Sequence, residues 1–133
     1  MQAVKARVTR ALPVGSRVET CDNSGAKVIK IFTVYRNKTV KGRRQEAGVG
    51  DLVFASVVKG RPDMRKQTVL AVIVRQKRGY KRPDGMAVKF EDNAAVVLKD
   101  EKGNPKGTIF KGPIAKEATE RWPGIAKVAK IVV

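Results

Sequence analysis

The sequence predicts an all-β fold, a single barrel of about five antiparallel strands with one helix near the C-terminus. Three observations point there. Short β-branched and apolar runs recur between turn clusters rich in Gly, Pro, Asn and Asp. Two runs, 51–59 (DLVFASVVK) and 68–74 (TVLAVIV), are nearly continuous in apolar residues and read as central strands. The connections are hairpin-sized, and closing such a set into a barrel removes exposed strand edges. At 133 residues the chain makes one domain, 1–133, with residues 1–16 as an N-terminal extension and 113–133 as a C-terminal appendage.

Taken in order, 18–21 alternates like a strand and is closed by Asp22-Asn23-Ser24-Gly25. Residues 27–35 (KVIKIFTVY) form the second strand, followed by the two central ones. Residues 86–90 and 94–98 are predicted to make a hairpin across Glu91-Asp92-Asn93. Short strands are expected at 108–110 and 125–133. Between them Pro113 suits a first helical position, and good helix formers follow up to Trp122, where Pro123-Gly124 is expected to stop the helix. With aromatics at 5%, the core must be built from Val, Ile, Leu and Ala.

Charge narrows the function. Twenty-nine Lys and Arg stand against twelve Asp and Glu, a net +17 with pI near 10.5, so a polyanionic partner is expected. No run approaches the ~18 apolar residues of a membrane span, no secretory leader or lipidation signal is evident, and nucleic acid is the leading partner. The single cysteine, Cys21, fits a reducing cytosol and reads as a small buried strand residue, so a cytoplasmic location is expected. With no histidine the commonest general base and metal ligand is missing. Asp63 and Asp84 sit in turns beside Pro62 and Pro83, and Glu91 with Asp92 and Asp100 with Glu101 flank tight turns. No phosphate-binding glycine loop, dinucleotide fingerprint or CxxC occurs. An enzyme is not expected, nor any cofactor or metal.

The cations are unevenly placed. Residues 23–45 hold seven basic residues, Arg36 and Lys38 among them, and no acid, and 59–82 hold nine against Asp63; 90–101 hold four acids and Lys99 alone. Most fall in loops, which drape over irregular RNA better than a groove-filling helix does over DNA. The candidate RNA-binding residues are Lys41, Arg43 and Arg44 in one loop, Arg65 and Lys66 in the next, and Arg75, Lys77, Arg78, Tyr80, Lys81 and Arg82 in the third. In that third loop five charges face phosphate, Gly79 allows close approach, and Tyr80 offers a ring to an unpaired base. Pro83-Asp84-Gly85 is a turn that fixes the loop, with Gly85 taking a positive φ. A basic chromatin or single-strand DNA module would display more aromatics along a groove; an RNA-modifying enzyme would need a cofactor loop or a tunable acid and base.

Several segments also carry a resemblance: Asp22-Asn23-Ser24-Gly25-Ala26, Ala47-Gly48-Val49-Gly50-Asp51, the run 69–98 with Arg78-Gly79-Tyr80-Lys81-Arg82-Pro83-Asp84-Gly85 at its centre, and Gly107-Thr108-Ile109-Phe110 before Gly112-Pro113. In order over residues 17–121, they resemble the large-subunit ribosomal protein family numbered fourteen in the universal scheme. The resemblance implies a closed five-stranded antiparallel barrel with a small C-terminal helical appendage. It implies binding to large-subunit ribosomal RNA, contact with neighbouring large-subunit proteins, and bridges to small-subunit ribosomal RNA. It also implies an exposed face that receives an anti-association initiation factor. The bridge positions correspond to Lys59 and Arg61 after one central strand, and to Lys127 and Lys130 near the C-terminus, expected to emerge beside that loop. Residues 1–16 and Arg121-Trp122-Pro123-Gly124 depart from the bacterial pattern and look archaeal or eukaryotic.

Overall fold

The computed structural model describes residues 2–4, 6–35 and 39–133; Arg36 and Lys38 of the first basic loop lie outside it. Among the described residues nine strands and two helices occur in the order β1 (Leu12–Pro13), β2 (Arg17–Thr20), β3 (Ala26–Val34), β4 (Glu46–Ala47), β5 (Leu52–Gly60), β6 (Thr68–Arg75), β7 (Tyr80–Lys81), β8 (Ala87–Val88), β9 (Ala94–Leu98), α1 (Lys116–Arg121) and α2 (Pro123–Val128). Strands β2-β3-β5-β6-β9 close into a barrel, as the apolar runs predict.

The barrel is mixed rather than wholly antiparallel. Four seams are antiparallel, but β2 meets β9 in parallel, Glu19 opposite Ala94 and Thr20 opposite Ala95. Parity requires this: in a ring of alternating strand directions, an odd number leaves one pair running the same way.

Alternation separates two apolar clusters. Val18, Ile29, Ile31, Val53, Ala55, Ala71, Ile73, Ala95 and Val97 pack inside the barrel. Leu52, Val72, Val74, Val96 and Leu98 point outward, where Ile114, Ala118, Trp122 and Ile125 cover them. Strand β9 is therefore buried at all five positions, and β6 over its last five residues. Burial on both faces is why these runs lack polar alternation.

Three local expectations are corrected. The hairpin across 91–93 does not form: β8 pairs with β7, Tyr80 opposite Val88, while β9 is drawn into the barrel between β6 and β2. Pro123 does not end the helical region but starts α2 directly after the extended Trp122, since its missing N–H costs nothing at a first helical position. Residues 125–128 are accordingly helical, and of the predicted final strand only Val132 remains, bridging Ile114; Phe110 likewise makes a single bridge to Asp22.

Candidate nucleic-acid interface

The third basic loop is held by buried polar groups at its ends. At its start, the Arg75 guanidinium donates to both carboxylate oxygens of Asp92 (2.9 and 3.1 Å) and to the carbonyls of Lys111 and Pro113. Gln76 is fully buried; its amide accepts from Val49 N–H and donates to the carbonyls of Thr9 and Arg78. At its end, Tyr80 is buried and its hydroxyl donates to Glu117 Oε2 (2.7 Å), while Arg82 Nε donates to Glu117 Oε1 (2.7 Å). Burial pushes the Glu117 carboxyl up, but hydrogen bonds from Arg82 and Tyr80 outweigh it and hold the group below the usual carboxylate range. Burial and the neighbouring carboxylate push the Tyr80 phenol up.

The predicted residues thus divide. Arg75, Tyr80 and Arg82 are spent on α1 and its approach, and the Tyr80 ring, 3% exposed, has no face left for a base. Lys77, Arg78 and Lys81 are exposed between these anchors. So are Lys41, Arg43 and Arg44, and Arg65 with Lys66, where Lys41 and Lys66 take positive φ at the loop bends. Among the described residues none of these eight has an ion-pair partner. Several carboxylates face inward instead: Asp51 accepts from Gly48 N–H and Arg121, and Asp22 from Val97 N–H and Ser24.

Lys59 and Arg61 lie at the end of β5, where Arg61 N–H donates to the Gly25 carbonyl (2.9 Å) and its guanidinium to that of Ser24. Both line a cleft with Lys27 and Lys111. Arg61 also has a loose, exposed ion pair with Asp63 (3.7 Å). Lys127 sits in the last turn of α2 and Lys130 just beyond; both are exposed, and α2 packs on Gly103 and Pro105. Each pair is carried by its own element.

Sequence reasoning missed Arg7 and Arg10. The N-terminal segment, tied down by Gln76 at Thr9 and by a Gln2 N–H to Arg121 carbonyl bond, lies over the barrel. Arg7, Arg10, Arg78 and Arg121 line the resulting cleft of about 700 Å³. Two arginines three apart in a weakly patterned segment were the only sequence signal. The motifs that carry the resemblance turn out to be clamps: Asn23 accepts from Thr108 and Ile109 N–H, fastening Gly107-Thr108-Ile109-Phe110 to the end of β2. Cys21 is buried, and desolvation pushes its thiol up to about 11, which keeps it protonated and unreactive near neutrality. No His/Cys/Asp/Glu group suited to a metal occurs among the described residues, and no helix there is long and apolar enough to cross a membrane.

A family model described as ribosomal protein L14p/L23e matches residues 11–133. The large ribosomal subunit protein uL14 of Nanoarchaeum equitans is 53% identical over 133 residues, covering all of both chains. Those of Methanococcus vannielii and Methanococcus maripaludis are 50% and 53% identical, each over 99% of both chains.

Proposed function

Since this chain belongs to the ribosomal protein L14p/L23e family, a structural and non-enzymatic component of the large ribosomal subunit, we propose that it acts there as one domain that binds large-subunit ribosomal RNA through its three basic loops. The observation that carries this is the set of exposed cations at Lys41, Arg43, Arg44, Arg65, Lys66, Lys77, Arg78 and Lys81, none of them neutralised by a carboxylate among the described residues. Left unpaired, such charge is self-repelling; phosphate removes the repulsion and releases counterions. Arg75, Tyr80 and Arg82 support the site from behind. They fix both ends of the third loop, so its cations reach phosphate at small entropic cost.

Lys59, Arg61, Lys127 and Lys130, all exposed, are the proposed contacts to small-subunit ribosomal RNA at intersubunit bridges. Neighbouring large-subunit proteins and an anti-association initiation factor are the proposed protein partners. The site of action is the cytoplasmic ribosome.

The test is Lys77→Ala with Arg78→Ala and Lys81→Ala, followed by gradient sedimentation of the tagged protein from its own cells. Among the described residues these three side chains make no hydrogen bond or ion pair, so the variant is expected to keep the wild-type melting temperature while its share in large subunits falls several-fold. Full incorporation would remove this loop from the RNA-binding surface.

A further inference from the structure

Seven aromatic residues occur in the chain, and four of them, Tyr80, Phe90, Phe110 and Trp122, are buried in the cluster beneath the appendage. The other three adjoin one another on β3 (Phe32), just after it (Tyr35, which also packs against that cluster) and on β5 (Phe54). Phe32 and Phe54 have ring centroids 6.4 Å apart, and Tyr35 and Phe54 6.3 Å. A register shift lies within this grouping. Ile31 pairs with Ala55 and Thr33 with Phe54, so Phe32 is the additional residue of a bulge. The bulge resets the inward phase from Ile29 and Ile31 to Val34, while Phe32, outward by alternation after Ile31, is 46% exposed. Phe32 therefore stands on the outer face with Lys30, an apolar ring left in solvent among charged neighbours.

The charge beside it is of one sign. Arg17 and Lys30 are directly opposed across β2 and β3, both exposed, and neither has an ion pair among the described residues. Like charges at facing positions repel, an arrangement that a polyanion relieves. Strand β3 leads directly into the loop that carries Arg43 and Arg44.

We infer that the Phe32–Phe54 face is a stacking platform for an unpaired RNA base, with Arg17 and Lys30 taking the flanking phosphates. This rests on the RNA-binding reading above and adds a base-contacting site to a surface otherwise made of phosphate contacts. Every base has a π-face, so the platform selects single-stranded over paired RNA and not one sequence over another.

The full-length protein is titrated with a single-stranded RNA oligonucleotide carrying 2-aminopurine, and with an RNA duplex of equal phosphate count. The variants are Phe32→Leu, which keeps an apolar side chain without a ring, and Phe32→Trp, which keeps the ring. The Leu variant is expected to bind the single strand about tenfold more weakly and to lose the 2-aminopurine quenching, with duplex binding and salt dependence unchanged. The Trp variant is expected to restore both. Equal loss on duplex, or no loss on either, overturns the platform while the RNA-binding reading stands. Failure of the wild-type chain to bind either RNA overturns both. Unchanged oligonucleotide binding with lost incorporation into subunits overturns it in favour of a protein contact on this face.

Discussion

Glu117 is the residue on which the third basic loop depends, because it receives Tyr80 and Arg82 together on a buried helix turn. Its carboxyl lies below the ordinary value of 4.5, so the stability it contributes is complete above that pH and is lost as pH falls through the lower folded value. Asp22 is shifted the other way, upward, chiefly by burial, so total acid stability mixes opposing contributions. The difference between wild type and Glu117→Gln isolates one of them. We expect the variant to be about 1–3 kcal/mol less stable at pH 7, with the gap narrowing as pH falls below 4.5, measured by urea denaturation across pH. A gap constant with pH would mean that the Glu117 charge contributes nothing. The sequence could not separate Arg75, Tyr80 and Arg82 from the exposed residues between them. Their partners lie 17 to 51 residues away, and local pattern carries no trace of such pairings.

At the level of elements, what was legible followed from burial on one or both faces. The long strands β3, β5, β6 and β9 announced themselves by alternation or by unbroken apolar runs. The two-residue pairs β1–β4 and β7–β8 had no period to read, and α2 was hidden behind a proline taken as a terminator. The appendage is held on by Trp122, wholly buried, whose indole N–H donates to the Gly50 carbonyl (2.8 Å) and whose ring covers Gly103. A Cβ on Gly103, which also has φ +97°, would stand 2.6 Å from that ring. Trp122→Ala is expected to cost about 3–5 kcal/mol, and Gly103→Ala to displace the helices, both read by thermal denaturation. Undiminished melting temperatures would show that the appendage contributes little to the barrel.

For the whole molecule, charge is the property the sequence declared most directly, and its division into contacts is what only coordinates supply. Lys59 lies in β5 with Arg61 just beyond it, and Lys127 in α2 with Lys130 just beyond it, so a bridge made by all four draws on both elements. Replacing the four by Ala is expected to weaken subunit joining several-fold at low magnesium while large-subunit assembly is retained, as measured by gradient profiles. Equal joining would refute that assignment and leave the family membership intact. The parallel seam between β2 and β9 bears on how the chain acquires its shape. The Val97–Asp22 hydrogen bond, beside the Glu19–Ala94 and Thr20–Ala95 pairs, joins residues 75 apart. A nascent chain must therefore hold β2 unpaired on one edge through the synthesis of β3, β5 and β6, until residue 98 has emerged. At roughly 5–20 residues per second, that wait lasts several seconds. By the end of that wait the open strand edge coincides with most of the chain's positive charge, a combination that favours association with polyanions before the barrel closes.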